Sequence, residues 1–249
     1  MHRSKRNRYI LYSLLSFFLL AAPEMRAQNS TDTAPATQAP AQTAPPPAAA
    51  AGPESAAARV RARRQQRIQT LIKDIYGHQF EAYGGYGYQR FRPGNSLQRV
   101  TEAAWNAGLT DYIKPRLGVT VDARGYYGTA YTYNNEFQVF KPSISQYVLL
   151  AGPQYRITQG QHFATSIRVM GGLSHGNFDT NAGGLPGKLI GLYPNGNSVA
   201  INGGIPVDYN LSPALALRVT PDFLYTRFGS ANQLNLGFTT GIVYRFGQK

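Results

Sequence analysis

Bulky apolar residues alternate with small or polar ones along the last part of this chain. In the stretch 234–246, LNLGFTTGIVYRF, one set is Leu234, Leu236, Phe238, Thr240, Ile242, Tyr244 and Phe246. The interleaved set is Asn235, Gly237, Thr239, Gly241, Val243 and Arg245. Successive side chains of a strand point to opposite faces, so period two predicts a β-strand with one apolar side. Seven more stretches repeat the pattern, at 80–91, 102–112, 117–127, 146–156, 163–174, 199–209 and 215–228. Each is long enough for the ~9–11 residues that cross a bilayer as a tilted strand. The predicted fold is all-β, an eight-stranded antiparallel up-and-down transmembrane β-barrel with an apolar outside and a polar lumen.

The connections support that reading. Those at 114–115, 158–161 and 210–213 are short, whereas 93–99, 128–142 and 175–197 are longer and rich in Gly, Asn and Tyr; 229–232 is the exception. Short periplasmic turns and long exterior loops are the outer-membrane arrangement, and an even strand number leaves both termini in the periplasm. Pro153 and Pro221 fall mid-strand on the apolar face, where each is expected to mark a bulge. Tyr112, Tyr127, Tyr147, Tyr155, Phe163, Tyr209, Tyr225, Tyr244 and Phe246 lie near strand ends and suit interfacial girdles. A soluble lipocalin-like barrel is the rival, with the bulky set turned inward. It explains neither the girdles nor the Gly, Ala and Thr of a narrow lumen.

Ahead of the strands the pattern changes three times. Arg3, Lys5, Arg6 and Arg8 precede an apolar run from Ile10 to Ala22, which makes residues 1–27 a secretory signal peptide with cleavage expected after Ala27. Residues 28–58 are an Ala/Pro/Thr-rich linker expected to be disordered, either a tether across the periplasm or a spacer without a selected role. Residues 59–77 are predicted as a basic amphipathic helix, with Ile68, Leu71, Ile72 and Ile75 on one face and Gly77 as its stop. Its cations, Arg59, Arg61, Arg63, Arg64, Arg67 and Lys73, either form a solvated face or touch anionic lipid headgroups or a polyanionic wall component. The barrel then occupies 78–249.

The formal charge of +13 overstates the mature chain. Taking five Lys/Arg and one Glu of residues 1–27 from the totals of 25 and 12 leaves 20 basic and 11 acidic residues, or +9. A secreted chain rarely meets nucleic acid, so none is expected as a partner. With no Cys, disulfides, lipoprotein anchoring and thiol chemistry are excluded. A mean hydropathy of −0.32 does not argue against a membrane barrel, because half of each strand faces a polar lumen.

Several motifs carry a resemblance. FEAYGGYGYQRF at 80–91, Trp105-Asn106-Ala107, the LAGP of Leu150–Pro153, and the ending from Leu224 to Phe246 together resemble the OmpA-type outer-membrane β-barrel domain family over residues 78–249. Thr239, Gly241, Tyr244 and Phe246 resemble the C-terminal β-signal that barrel-assembly machinery recognises. The resemblance implies outer-membrane lipid and that machinery as partners. No peptidoglycan-binding domain is expected beyond the barrel, so wall anchoring is not carried over.

Candidate chemistry is sparse. Past the signal peptide the histidines are His78, His162 and His175, too far apart in height to share a metal or form a dyad. Ser174 and His175 are adjacent and so point to opposite faces, with Glu136 and Asp179 the nearby loop acids. No catalytic, metal or cofactor-binding residue is expected; a lipid-modifying barrel enzyme is the lesser alternative.

The polar face carries Glu81, Glu102, Asp122, Asp208 and Asp222 with Arg116, Arg124, Arg156, Arg168, Arg218 and Arg245. Buried opposite charges should pair, because an unpaired one costs several kcal/mol. The expected lumen network is Glu81, Glu102, Asp122, Arg124, Arg168, Arg218, Asp222 and Arg245, with Asp122, Arg168, Arg218 and Asp222 as its central plug. Glu81 and Arg245 should meet where the first and last strands close the barrel. Loops 128–142 and 175–197 either recognise an extracellular ligand or serve as passive covering. The expected role is structural or surface-interacting in a monomer, with a small pore for ions or solutes as the alternative.

Overall fold

The computed structural model describes residues 56–248 apart from Asn134 and Ser230. The signal-peptide and most of the linker assignments lie outside these residues. Helix α1 runs Ala56–Tyr76 and therefore takes Ala56, Ala57 and Ala58 from the expected linker. Alanine, Arg and Gln are strong helix formers, and no proline interrupts them. At Gly77 a Cβ would stand 2.8 Å from the Lys73 carbonyl oxygen, so the chain turns sharply there into the first strand.

The strands are β1 (His78–Phe91), β2 (Val100–Tyr112), β3 (Leu117–Thr129), β4 (Ser143–Gln159), β5 (Phe163–Thr180), β6 (Gly196–Gly204), β7 (Val207–Asn210), β8 (Leu215–Phe228) and β9 (Ala231–Gln248). All pairings are antiparallel between neighbours, and β1 pairs with β9 to close the barrel. Eight staves result, because β6 and β7 are two halves of one. The pairs Gly204↔Asp222 and Val207↔Val219 keep a common register across the break at Ile205-Pro206.

The bulges expected at Pro153 and Pro221 are absent. Register is unchanged on both sides of Pro153, from Ala151↔Gly171 to Gln154↔Arg168, and β8 pairs β9 without a shift through Pro221. Each proline simply lacks an N–H toward one neighbour. Pro221 faces Ile205, next to Pro206, where the adjoining strand is already interrupted. Register shifts fall instead at Ser143/Ser145 and Arg156/Thr158, next to the strand ends.

The barrel is inverted relative to a water-soluble one. Leu173 points outward and is 65% exposed, whereas Arg124 points inward and is 1% exposed. The predicted parity holds in all eight staves, so the lipocalin-like arrangement does not apply. Tyr112 is a correction to the girdle: it is 1% exposed and lies in the lumen, on the same parity as Thr110. At the closing seam Gly85 pairs with Gly241. A Cβ on Gly85 would stand 2.0 Å from the Thr240 carbonyl oxygen, and one on Gly241 2.2 Å from that of Gly84, so only glycine lets the two backbones approach this closely.

Candidate functional site

The polar face of the staves folds into a layered lumen. Nearest the short turns, Glu81 of β1 is buried beneath three guanidinium groups. Its Oε1 accepts from Arg156 Nη2 at 2.6 Å and from Arg245 Nε at 2.8 Å, and its Oε2 accepts from Arg218 Nη2 and the Tyr112 hydroxyl at 3.0 Å. Glu81 and Arg245 are directly cross-strand. Asp208 of β7 accepts two bonds from Arg218, at 2.6 and 2.8 Å, and one from Arg245 at 3.2 Å. The two-pronged guanidinium geometry suits this pairing.

The middle layer is built on Arg124, which bonds Asp122 through Nε and Asp222 through Nη1. The Tyr83 hydroxyl donates to Asp122 at 2.6 Å and accepts from Arg168 Nη1 at 3.1 Å. Arg168 also stands 3.9 Å from both Asp122 and Asp222. A Cβ on Gly108 would stand 2.4 Å from the Tyr83 ring, so the glycine makes room for this side chain inside the tube.

Three expectations about the lumen charges need correction. Arg218 does not join Asp122, Arg168 and Asp222 in the central plug; it reaches toward the short-turn end, to Glu81 and Asp208. Glu102 has no cationic partner among the described residues. Gln89 at 2.6 Å and Gln146 at 3.0 Å donate to it instead. The reason is height: the guanidinium groups gather toward the middle and the short-turn end, out of its reach. Arg116, expected on the lumen face, is exposed in the β2–β3 turn. The lumen nevertheless balances, with five carboxylates (Glu81, Glu102, Asp122, Asp208, Asp222) and five arginines (Arg124, Arg156, Arg168, Arg218, Arg245).

Both mouths are filled. At the short-turn end, Tyr76 closes α1 by donating to the Gly160 carbonyl at 2.8 Å and accepting from Asn210 Nδ2 at 3.1 Å. The Arg156 and Arg245 guanidinium groups lie 5.2 and 5.8 Å from its ring centre, within cation–π range. Burial pushes the Tyr76 hydroxyl above its usual pKa, against the pull of Asn210 and the two arginines, so it stays a neutral donor. At the other end Phe91, Leu97, Phe178, Ile190, Leu192, Tyr193 and Phe228 form an apolar cap. Loop residues 181–195 thus turn inward over the opening. Periodicity had no access to this cap, because its contacts join loops far apart in sequence.

The remaining candidates stay separate. His175 is exposed, with Nδ1 2.7 Å from Asn197 Oδ1, while Ser174 is buried in the lumen. Asp179 accepts from Asn195 Nδ2 at 2.6 Å. His162 stacks on Tyr209, and His78 Nδ1 lies 3.3 Å from the Ile75 carbonyl. Of the terminal motif, Thr239 is buried in the lumen, Gly241 sits on the closing seam, and Tyr244 and Phe246 point outward. Phe246 stacks on Phe80 at 5.5 Å and on Tyr244 at 6.0 Å.

A closed, polar-filled barrel with an apolar exterior is the class that this fold and lumen define. Neisserial surface protein A matches it at 14% identity with a TM-score of 0.50, over 67% of this chain and 97% of that one. The outer membrane protein OprG from Pseudomonas aeruginosa matches at 12% identity and TM-score 0.49, over 70% and 99%. Ail of Yersinia pestis, solved with the heparin analogue sucrose octasulfate, matches at 14% identity and TM-score 0.44, over 67% and 97%. At 14% identity the first of these shows a shared fold and no more. No protein-family model and no curated protein matches the sequence.

Proposed function

We propose that this protein is an integral barrel of the bacterial outer membrane, monomeric, with a sealed lumen and a structural or surface-interaction role. Its termini and short turns face the periplasm, and it carries no catalysis of its own. The observation behind this reading is the pairing of two features: an apolar exterior on every stave and a lumen filled from end to end. An exposed apolar belt of this extent needs hydrocarbon around it, and a closed barrel leaves no strand edge unpaired in lipid. The spacing of His78, His162 and His175 and the opposed directions of Ser174 and His175 support the non-enzymatic reading. The surface-interaction role draws on loop 130–142, where Tyr131, Tyr133, Phe137 and Phe140 are all exposed. Such aromatic side chains on a rigid scaffold favour recognition.

Planar-bilayer recording tests the sealed lumen. An eight-stranded interior is about wide enough for its own side chains. Wild-type protein is therefore expected to give only rare, small conductance events. Asp222→Asn leaves Arg124 and Arg168 sharing Asp122 and is expected either to lower stability or to raise the event frequency. Large, stable wild-type channels would favour the pore instead.

A further inference from the structure

Between α1 and the short turns lies a groove outside the lumen. One hollow of about 430 Å³ is lined by Leu71, Ile75, Tyr209 and Leu211 together with Gln161 and His162. A second, of about 300 Å³, shares Leu71, Gln161 and His162 and adds Arg64, Arg67 and Ile68. The groove is therefore apolar at one end and cationic at the other. Its polarity follows from the helix, on which Arg64, Arg67, Leu71 and Ile75 recur at spacings of three and four and so share a face.

The position of the groove matters as much as its polarity. Phe163 is 60% exposed and Tyr209 43% exposed on the outer wall, with ring centres 5.1 Å apart, and His162 stacks on Tyr209. Outward aromatic rings at a strand end mark the level of the lipid headgroups. The apolar end of the groove begins at that level, and the two arginines lie just beyond it on the helix. Arg64 and Arg67 make no ion pair among the described residues, whereas the five lumen arginines all do.

We propose that this groove holds one anionic phospholipid of the periplasmic leaflet. Its phosphate binds Arg64 and Arg67, and its apolar part lies along Leu71, Ile75, Tyr209 and Leu211. Charge complementarity selects the headgroup, while the apolar wall separates a lipid from free phosphate. The bound lipid would hold α1 against the barrel and so keep Tyr76 seated in the mouth. The site goes beyond the sealed-barrel reading and rests on it for membrane insertion.

Native mass spectrometry of the full chain in detergent tests the site, with phosphatidylglycerol, phosphatidylcholine or inorganic phosphate added. One phosphatidylglycerol should be retained in preference to phosphatidylcholine. Arg64→Glu with Arg67→Glu should weaken its retention by roughly thirtyfold or more, given about one kcal/mol for each of the two interfacial cations. Arg59→Glu with Arg61→Glu makes the same charge change on the same helix, off the groove, and should leave retention nearly unchanged. Equal losses from the two pairs would mean diffuse attraction and overturn the site. So would inorganic phosphate competing as well as the lipid does. Insertion into phosphatidylcholine vesicles, read by heat-modifiable migration, is measured on the same samples. Wild type that does not insert overturns the membrane reading and the site with it; inserted wild type without lipid preference overturns the site alone.

Discussion

Glu81→Gln is expected to destabilise the folded barrel by about 3–5 kcal/mol, the usual cost of removing one partner from a buried ion pair. Its carboxylate takes charge-assisted bonds from Arg156, Arg218 and Arg245, and only Asp208 would remain to offset those three cations. Trp105 is the single tryptophan and faces outward, so its emission reports unfolding by urea in vesicles. Glu102→Gln is the internal control. It removes a buried carboxylate that has amide donors but no cation, and should change stability by no more than about 1 kcal/mol in either direction. A Glu81→Gln midpoint as close to wild type as that of Glu102→Gln would mean that the cluster does not hold the barrel together.

Tyr244→Ala with Phe246→Ala is expected to abolish delivery to the outer membrane, leaving the chain in the periplasm or degraded. The readout is heat-modifiable migration of the membrane fraction. Because Phe246 also stacks on Phe80, loss of packing at the seam is a competing cause. Phe80→Ala separates the two, since it removes the same ring contact and leaves the terminal motif intact. It should assemble near wild-type levels, and the double variant should still refold from urea into detergent. A double variant that reaches the membrane as wild type does would overturn the assembly-signal reading.

The reach of the sequence is clearest strand by strand. The stretch predicted at 215–228 coincides with β8, the stretch at 146–156 is the central part of β4, and the stretch at 163–174 is the opening part of β5, which runs on to Thr180. Alternation fades at strand ends because residues there leave the hydrocarbon and no longer need an apolar side. Tyr112 shows the same blind spot in another form. Its position near a strand end suggests the girdle, but parity with Thr110 sends it inward to Glu81. Tyr83 and Asn202 also lie on the inward parity, and the formal charge that drew attention to the lumen is absent from both. Tyr76 could not be assigned by alternation, since it belongs to a helix that enters the barrel mouth from outside.

By itself the sequence determined what depends on nearest neighbours along the chain: which residues form strands, which face of each is apolar, where turns fall, and that charges line the inside. Period two is a local consequence of backbone geometry, so it survives in one dimension. Strand order and parity already joined Glu81 to Arg245, and the tertiary structure decided which of the other charges meet. Partners such as Glu81 and Arg218 are set by strand tilt, register and the reach of long side chains around a closed ring, none of which is written in any one strand. The same closure brought Arg124 to Asp222, left Glu102 to two glutamines, and set α1 beside the short turns, where a groove with an apolar and a cationic end appears.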